Sequence, residues 1–170
     1  MVFMSKLNYV IGVDPGQTGA ISVLDRDGNL ESVVDMPGFG PEPMAMDIAA
    51  LFEAVGSPDE IMVALEEPFS MSKNSSQASM TQGIGYGILL GVVGTMGLRH
   101  ERIKPADWKR ELGLPMGAKY TSAQKKTNSR IHAARLWPDH AYRWERASQD
   151  GRAESALIGE CLRRRILGSL

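Results

Sequence analysis

The chain predicts an α/β fold built on a five-stranded mixed sheet, and three features point to it. Apolar runs of five to seven residues open it, and two of them are joined by an Asp-Gly turn. Longer stretches with helical spacing alternate with the later apolar runs, the order expected of parallel crossovers. The composition, 43% hydrophobic and 23% charged over 170 residues, suits one globular domain, residues 1–170, with a core that needs no metal or disulfide.

Asn8 to Val13 reads as a buried strand that ends at Asp14. Asp14-Pro-Gly-Gln-Thr-Gly turns the chain, and Ala20 to Leu24 returns as a second strand. Asp27-Gly28 marks a hairpin, after which Leu30 to Met36 closes a three-stranded meander. Met44 to Val55 has helical spacing and stops at Gly56-Ser57-Pro58. Ile61 to Leu65 is a fourth strand, ending at Glu66-Glu67-Pro68. Residues 69–78 are polar and read as an exposed loop. Ser79 or Thr81 is a candidate cap for a glycine-rich helix whose body is Ile84 to Leu98. Glycine costs roughly 1 kcal/mol per helical site relative to alanine, so this helix needs close packing or a closely approaching ligand. Arg99 to Lys104 is a fifth strand, and Pro105 opens a short helix from Ala106 to Leu112. Thr121 or Ser122 caps a basic helix to about Leu136, and Ser148 or Gln149 starts a last helix to about Ile166.

Charge is segregated along the chain. Residues 1–98 carry three cations against twelve carboxylates, whereas residues 99–135 carry ten cations against three. Such a split suggests one face for a polyanion and a carboxylate-rich region elsewhere. No apolar run approaches the ~20 residues of a membrane span, so no membrane role is expected. The single Cys161 makes no internal disulfide, and a reduced cytoplasmic setting is the simple reading.

Three groups of carboxylates are candidates for chemistry. Asp14 follows a buried strand, and a carboxylate there needs a cation or hydrogen-bond donors, although Asp-Pro-Gly is also ordinary turn chemistry. Glu66 and Glu67 close the fourth strand, and strand alternation allows only one of them to share a face with Asp14. Asp150 and Glu154 lie at i, i+4, one turn apart on one helical face. Parallel strands would bring Asp14 and Glu66 together at the carboxyl edge of the sheet, where open α/β sheets place their sites. Four carboxylates without histidine suit hard cations such as Mg²⁺, and His100, His132 and His140 lack metal-ligand spacing. Two such ions about 3.5–4 Å apart activate water and stabilise a leaving phosphodiester oxygen. Lys109, Lys119, Lys125, Lys126, Arg130 and Arg135 are candidate phosphate contacts, with Arg99, Arg102, Lys104 and Arg110 nearby. Trp108 reads as core. Gly83, Gly85 and Gly87 do not make a dinucleotide fingerprint, because the spacing and the preceding strand are missing.

Val10-Ile-Gly-Val-Asp-Pro-Gly, Gly19-Ala, Leu65-Glu66-x-Pro68, Gly85-Tyr-Gly, Trp108-Lys109 and Asp150-Gly-Arg-Ala-Glu-x-Ala-Leu-Ile occur in an order and spacing that resembles RuvC-type Holliday junction resolvases. The resemblance spans about residues 8 to 165 and is strongest to the phage and chloroplast branch. It implies a ribonuclease H-like fold, a homodimer, and paired symmetric nicking of four-way DNA junctions in recombination and repair. It also implies two Mg²⁺ ions per site, replaceable by Mn²⁺, with no small-molecule cofactor. Asp14, Glu66, Asp150 and Glu154 then match the metal-binding catalytic carboxylates. Lys126, with the neighbouring Lys125 as the alternative register, and Lys109 match the basic residues beside the scissile phosphate. Lys73, Asn74 and Gln77 would sit in a loop near the crossover, and the glycine-rich helix would form the dimer face or approach the junction centre closely. One departure is visible: bacterial RuvC proteins carry two Asp spaced by three, where this chain has Asp and Glu spaced by four.

Three other readings compete. Asp14-Pro-Gly-x-Thr-Gly also resembles the first phosphate loop of sugar-kinase and actin-like ATPases, whose chains duplicate the domain and run far longer. A ribonuclease H-like nuclease acting on other branched DNA or on RNA–DNA hybrids would use the same carboxylates. A junction-binding protein without activity would have no need to keep all four.

Overall fold

A computed structural model describes residues 6–39, 42–68 and 75–168. Five strands, β1 (Tyr9–Asp14), β2 (Ala20–Asp25), β3 (Leu30–Asp35), β4 (Ile61–Glu66) and β5 (Arg99–Ile103), form one sheet in the order β3-β2-β1-β4-β5. The first three are antiparallel neighbours, and β4 and β5 add in parallel beside β1. This is the five-stranded mixed sheet that the alternation of runs predicts. A two-residue ribbon, Gly38–Phe39 with Glu42–Pro43, follows β3 and carries no clear sequence pattern.

Among the described residues five α-helices cover the sheet: α1 (Ala45–Val55), α2 (Ser76–Thr95), α3 (Pro105–Glu111), α4 (Ser122–Leu136) and α5 (Asp150–Leu167). None of the described helices is long and apolar enough to cross a membrane. Strand alternation divides the core in two. Ile11, Val13, Ile21, Val63 and Leu65 pack against Ile48 and Phe52 of α1 and Leu89 and Val93 of α2. On the other face Val10, Ala20, Leu24 and Ala64 meet Trp108 of α3, Ala133 of α4 and Leu157 and Cys161 of α5.

Helix α5 lies unusually close to β1. A Cβ at Gly12 would fall 2.0 Å from the Ser155 carbonyl oxygen, and one at Gly151 would fall 2.1 Å from that of Thr18. Backbone therefore rests on backbone, and the buried Ser22 and Ser155 hydroxyls hydrogen-bond across the same seam. Arg152 adds a bidentate pair to Asp35 at 2.6 Å for each bond, fastening the first turns of α5 to the end of β3.

Two expectations are corrected. Helix α2 starts at Ser76 with Ser75 as its cap, the Ser75 hydroxyl accepting from Ala78 N–H at 3.2 Å, so residues 76–78 are helical and not loop. A local serine cap ahead of the apolar body extends the helix past Ser79 and Thr81. The second concerns close packing of its glycines: among the described residues a Cβ at Gly83, Gly87, Gly91 or Gly94 would meet nothing within 4 Å. Of the helix's glycines, Gly85 is the buried one. Elsewhere the choice between Thr121 and Ser122 falls to Thr121, which forms a capping box with Gln124. Helix α5 begins at Asp150, because Ala147–Gln149 form a separate 3-10 turn.

Candidate active site

Parallel pairing of β1 with β4 sets Val13 opposite Leu65, so the next residues, Asp14 and Glu66, leave the sheet together at its carboxyl edge. Both fall on the α5 face, since Val10 and Gly12 of β1 and Ala64 of β4 share it. Glu67 continues past the strand, where its carboxylate lies 3.8 Å from Arg102 Nε and away from Asp14. The small residues along α5 bring Asp150 and Glu154 to this edge, with Asp150 in the first turn, where the helix dipole favours an anion.

Each carboxylate has its own partner. Asp14 Oδ1 accepts from Gly16 N–H at 3.1 Å. Glu66 Oε1 accepts from the indole N–H of Trp108 at 2.7 Å. Asp150 Oδ2 stands 2.5 Å from Lys126 Nζ. Glu154 Oε1 stands 3.3 Å from Lys109 Nζ and accepts from the Ser129 hydroxyl at 3.0 Å. Helix α4 thus reaches the site through Lys126 and Ser129, and α3 through Trp108 and Lys109.

The electrostatics mark the four acids as one neighbourhood. Burial first, then the Glu154 carboxylate, push Asp14 up to about 6, against the Gly16 N–H and the Lys109 ammonium. Burial, then Asp14, push Glu66 up to about 8, against the Trp108 hydrogen bond. The hydrogen bond to Asp150 raises Lys126 above its ordinary value, with Glu154 and Asp14 adding to it. These carboxylates repel one another in a partly desolvated corner, and two lysines supply the balancing charge.

The donor set is oxygen-only and surplus in negative charge, which suits a hard divalent cation. Among the described residues no three His, Cys, Asp or Glu side chains stand close enough to surround one ion. Asp150 and Glu154 are instead each paired with a lysine.

Other residues singled out from the sequence are placed less centrally. Lys119 is exposed, its ammonium 5.1 Å from the Tyr120 ring centroid. Lys125 is partly buried on α4, and Lys126, not Lys125, faces the acids. The Arg130 guanidinium donates to Glu145 O at 2.8 Å and to Thr127 Oγ1 at 3.2 Å, tying α4 to the segment before α5. Lys73 and Asn74 lie outside the described residues. Trp108 is core as expected, but its bond to Glu66 was not foreseen, nor was Ser129. A buried indole N–H commonly finds a partner, and Ser129 lies one helical turn beyond Lys125; both are weak signals that become readable only once the neighbours are known.

No protein-family model and no curated protein matches the chain. Among solved structures it is similar to Thermus thermophilus RuvC in complex with a Holliday junction substrate, at 14% identity and a TM-score of 0.63, covering 92% of this chain and 96% of that one. A second Thermus thermophilus RuvC structure is similar at 20% identity and a TM-score of 0.57, with the same coverage. The chain has the RuvC-like, ribonuclease H-like α/β fold, with acids gathered at one edge of its sheet.

Proposed function

We propose that this chain is a divalent-metal-dependent endonuclease that resolves four-way DNA junctions by paired symmetric nicks, acting as a homodimer of single nuclease domains. The observation that carries this reading is that Asp14, Glu66, Asp150 and Glu154 stand within electrostatic reach of one another, with Lys109 and Lys126 paired to two of them, at the carboxyl edge of a RuvC-like sheet. The sequence motifs favour the phage and chloroplast branch.

The four carboxylates would hold two Mg²⁺ ions, or Mn²⁺ in their place. When bound, such ions supply an activated water and stabilise the leaving oxygen of a phosphodiester. The chain's own residues do the remaining work. Asp14 and Glu66 present oxygens from a rigid strand edge, and Asp150 and Glu154 present theirs from the facing helix. The Lys126 ammonium carries positive charge beside the scissile phosphate. Lys109, Lys119, Lys125 and Arg130 supply further phosphate attraction, and Lys73 and Asn74 approach the crossover. Such contacts position a duplex without reading its bases, so selectivity would come from the shape and deformability of the branch. A second copy of the chain would suit the approximate two-fold symmetry of the substrate.

The test is a cleavage assay comparing four-way junction, linear duplex and RNA–DNA hybrid, each with and without Mg²⁺. Paired nicks in the junction alone, dependent on Mg²⁺ and lost in Asp14→Asn while junction binding persists, support the reading. Cleavage of the hybrid with the junction intact, or nicking by Asp14→Asn, overturns it.

A further inference from the structure

Trp108 is fully buried among the side chains between the sheet and helices α4 and α5, yet its polar atom faces the acidic edge. Its indole N–H donates to Glu66 Oε1 at 2.7 Å. Three contacts immobilise that donor. The ring is enclosed on all sides by core residues, with no exposed surface. Glu111, one turn further along α3, takes two hydrogen bonds from Arg165 of α5, at 2.7 and 2.5 Å. The Lys109 ammonium sits 4.7 Å from the Trp108 ring centroid while pairing with Glu154 at 3.3 Å. Helix α3 is thereby clamped to α5, which carries the other two acids.

A glutamate carboxylate turns easily about its last torsion, and two equivalent oxygens then compete for any cation. A fixed donor on one oxygen removes that freedom. We propose that Trp108 is a positioning residue for the cation site: its N–H holds Glu66 Oε1, so that Oε2 is the oxygen presented to a divalent ion. The inference rests on the metal-dependent reading above and adds to it the residue that orients one ligand. Partners of this kind typically change metal affinity by 10–100-fold, so a loss of about tenfold is expected here.

The experiment measures Mn²⁺ affinity by electron paramagnetic resonance without DNA, beside the melting temperature of the metal-free protein. Trp108→Phe removes the donor but shrinks the ring. Replacing Trp108 by benzothienylalanine exchanges N–H for sulfur and keeps the ring's volume, which preserves a test if the Phe variant misfolds. The expected result is Mn²⁺ affinity about tenfold weaker in the benzothienyl protein, with its melting temperature little changed. In a Glu66→Ala background the same replacement should cause no further loss. Unchanged Mn²⁺ affinity in the benzothienyl protein, or an equal loss without Glu66, overturns the proposal and leaves Trp108 as core. A wild-type protein that takes up no Mn²⁺ overturns the metal-dependent function itself, and this inference with it.

Discussion

Lys126 Nζ lies 2.5 Å from Asp150 Oδ2, joining a half-exposed ammonium to a carboxylate that is almost wholly buried. The pair places a half-exposed cation at the mouth of the acidic edge. Lys126→Met should therefore have two opposite effects. Removing a competing cation should tighten Mn²⁺ binding in titrations without DNA. Removing a phosphate partner should weaken junction binding and lower the slope of log affinity against log salt by about 1. An unchanged slope in fluorescence anisotropy would remove Lys126 from the DNA-facing surface.

The raised values of Asp14 and Glu66 make the metal-free protein sensitive to pH. Their ordinary values are 3.8 and 4.5, and burial, with repulsion from neighbouring carboxylates, lifts them to about 6 and about 8. Between these limits the folded state binds more protons than the unfolded one, so stability falls as pH rises. Melting temperature in the presence of a chelator should decline from about pH 4 to about pH 8. Glu66→Gln keeps the acceptor for Trp108 and removes the charge, so it should stabilise the metal-free protein at pH 8 by on the order of 1–3 kcal/mol. The gain should shrink toward pH 4, and a pH-independent gain would place its origin elsewhere.

Gly12→Ala tests how closely α5 is seated. The added methyl would lie 2.0 Å from the Ser155 carbonyl oxygen, and its three nearest neighbours are all main-chain atoms of α5. Overpacking of this kind costs typically 1–3 kcal/mol, and contact with backbone belongs at the upper end. Urea unfolding should show that loss, and Mn²⁺ affinity should fall as α5 and its two acids are pushed away.

The open glycines of α2 give the converse experiment. A Cβ at Gly91 meets nothing within 4 Å among the described residues, so Gly91→Ala should raise the stability of an isolated protomer by up to about 1 kcal/mol through helix propensity. If two copies pack through this face, where Met80 and Ile84 are also exposed, a bulky Gly87→Leu should convert dimer to monomer in sedimentation equilibrium. A dimer that survives Gly87→Leu places the interface on another face.

Much of this architecture was legible from local patterns. The strand ends at Asp14 and Glu66, the meander and the i, i+4 acids follow from alternation, turn residues and helical spacing, all of which act over a few residues. Legibility failed where a side chain's meaning depends on what lies across the fold. Lys125 and Lys126 are equivalent along the chain, and only the packing of α4 against α5 separates them. Trp108 reads as core because burial dominates its signature, while its hydrogen bond needs β4 beside it. The glycines of α2 suggested tight contact, but helical glycine also occurs where space is empty, and composition does not distinguish the two.

The glycine seam between β1 and α5 has a consequence for tolerance to change. Since main chain touches main chain there, the gap separating the strand-borne acids from the helix-borne ones is set by atoms common to every residue type. Substitutions in the surrounding aliphatic layer can alter stability while that spacing is conserved, which insulates the geometry of the acidic edge from drift in the rest of the interior.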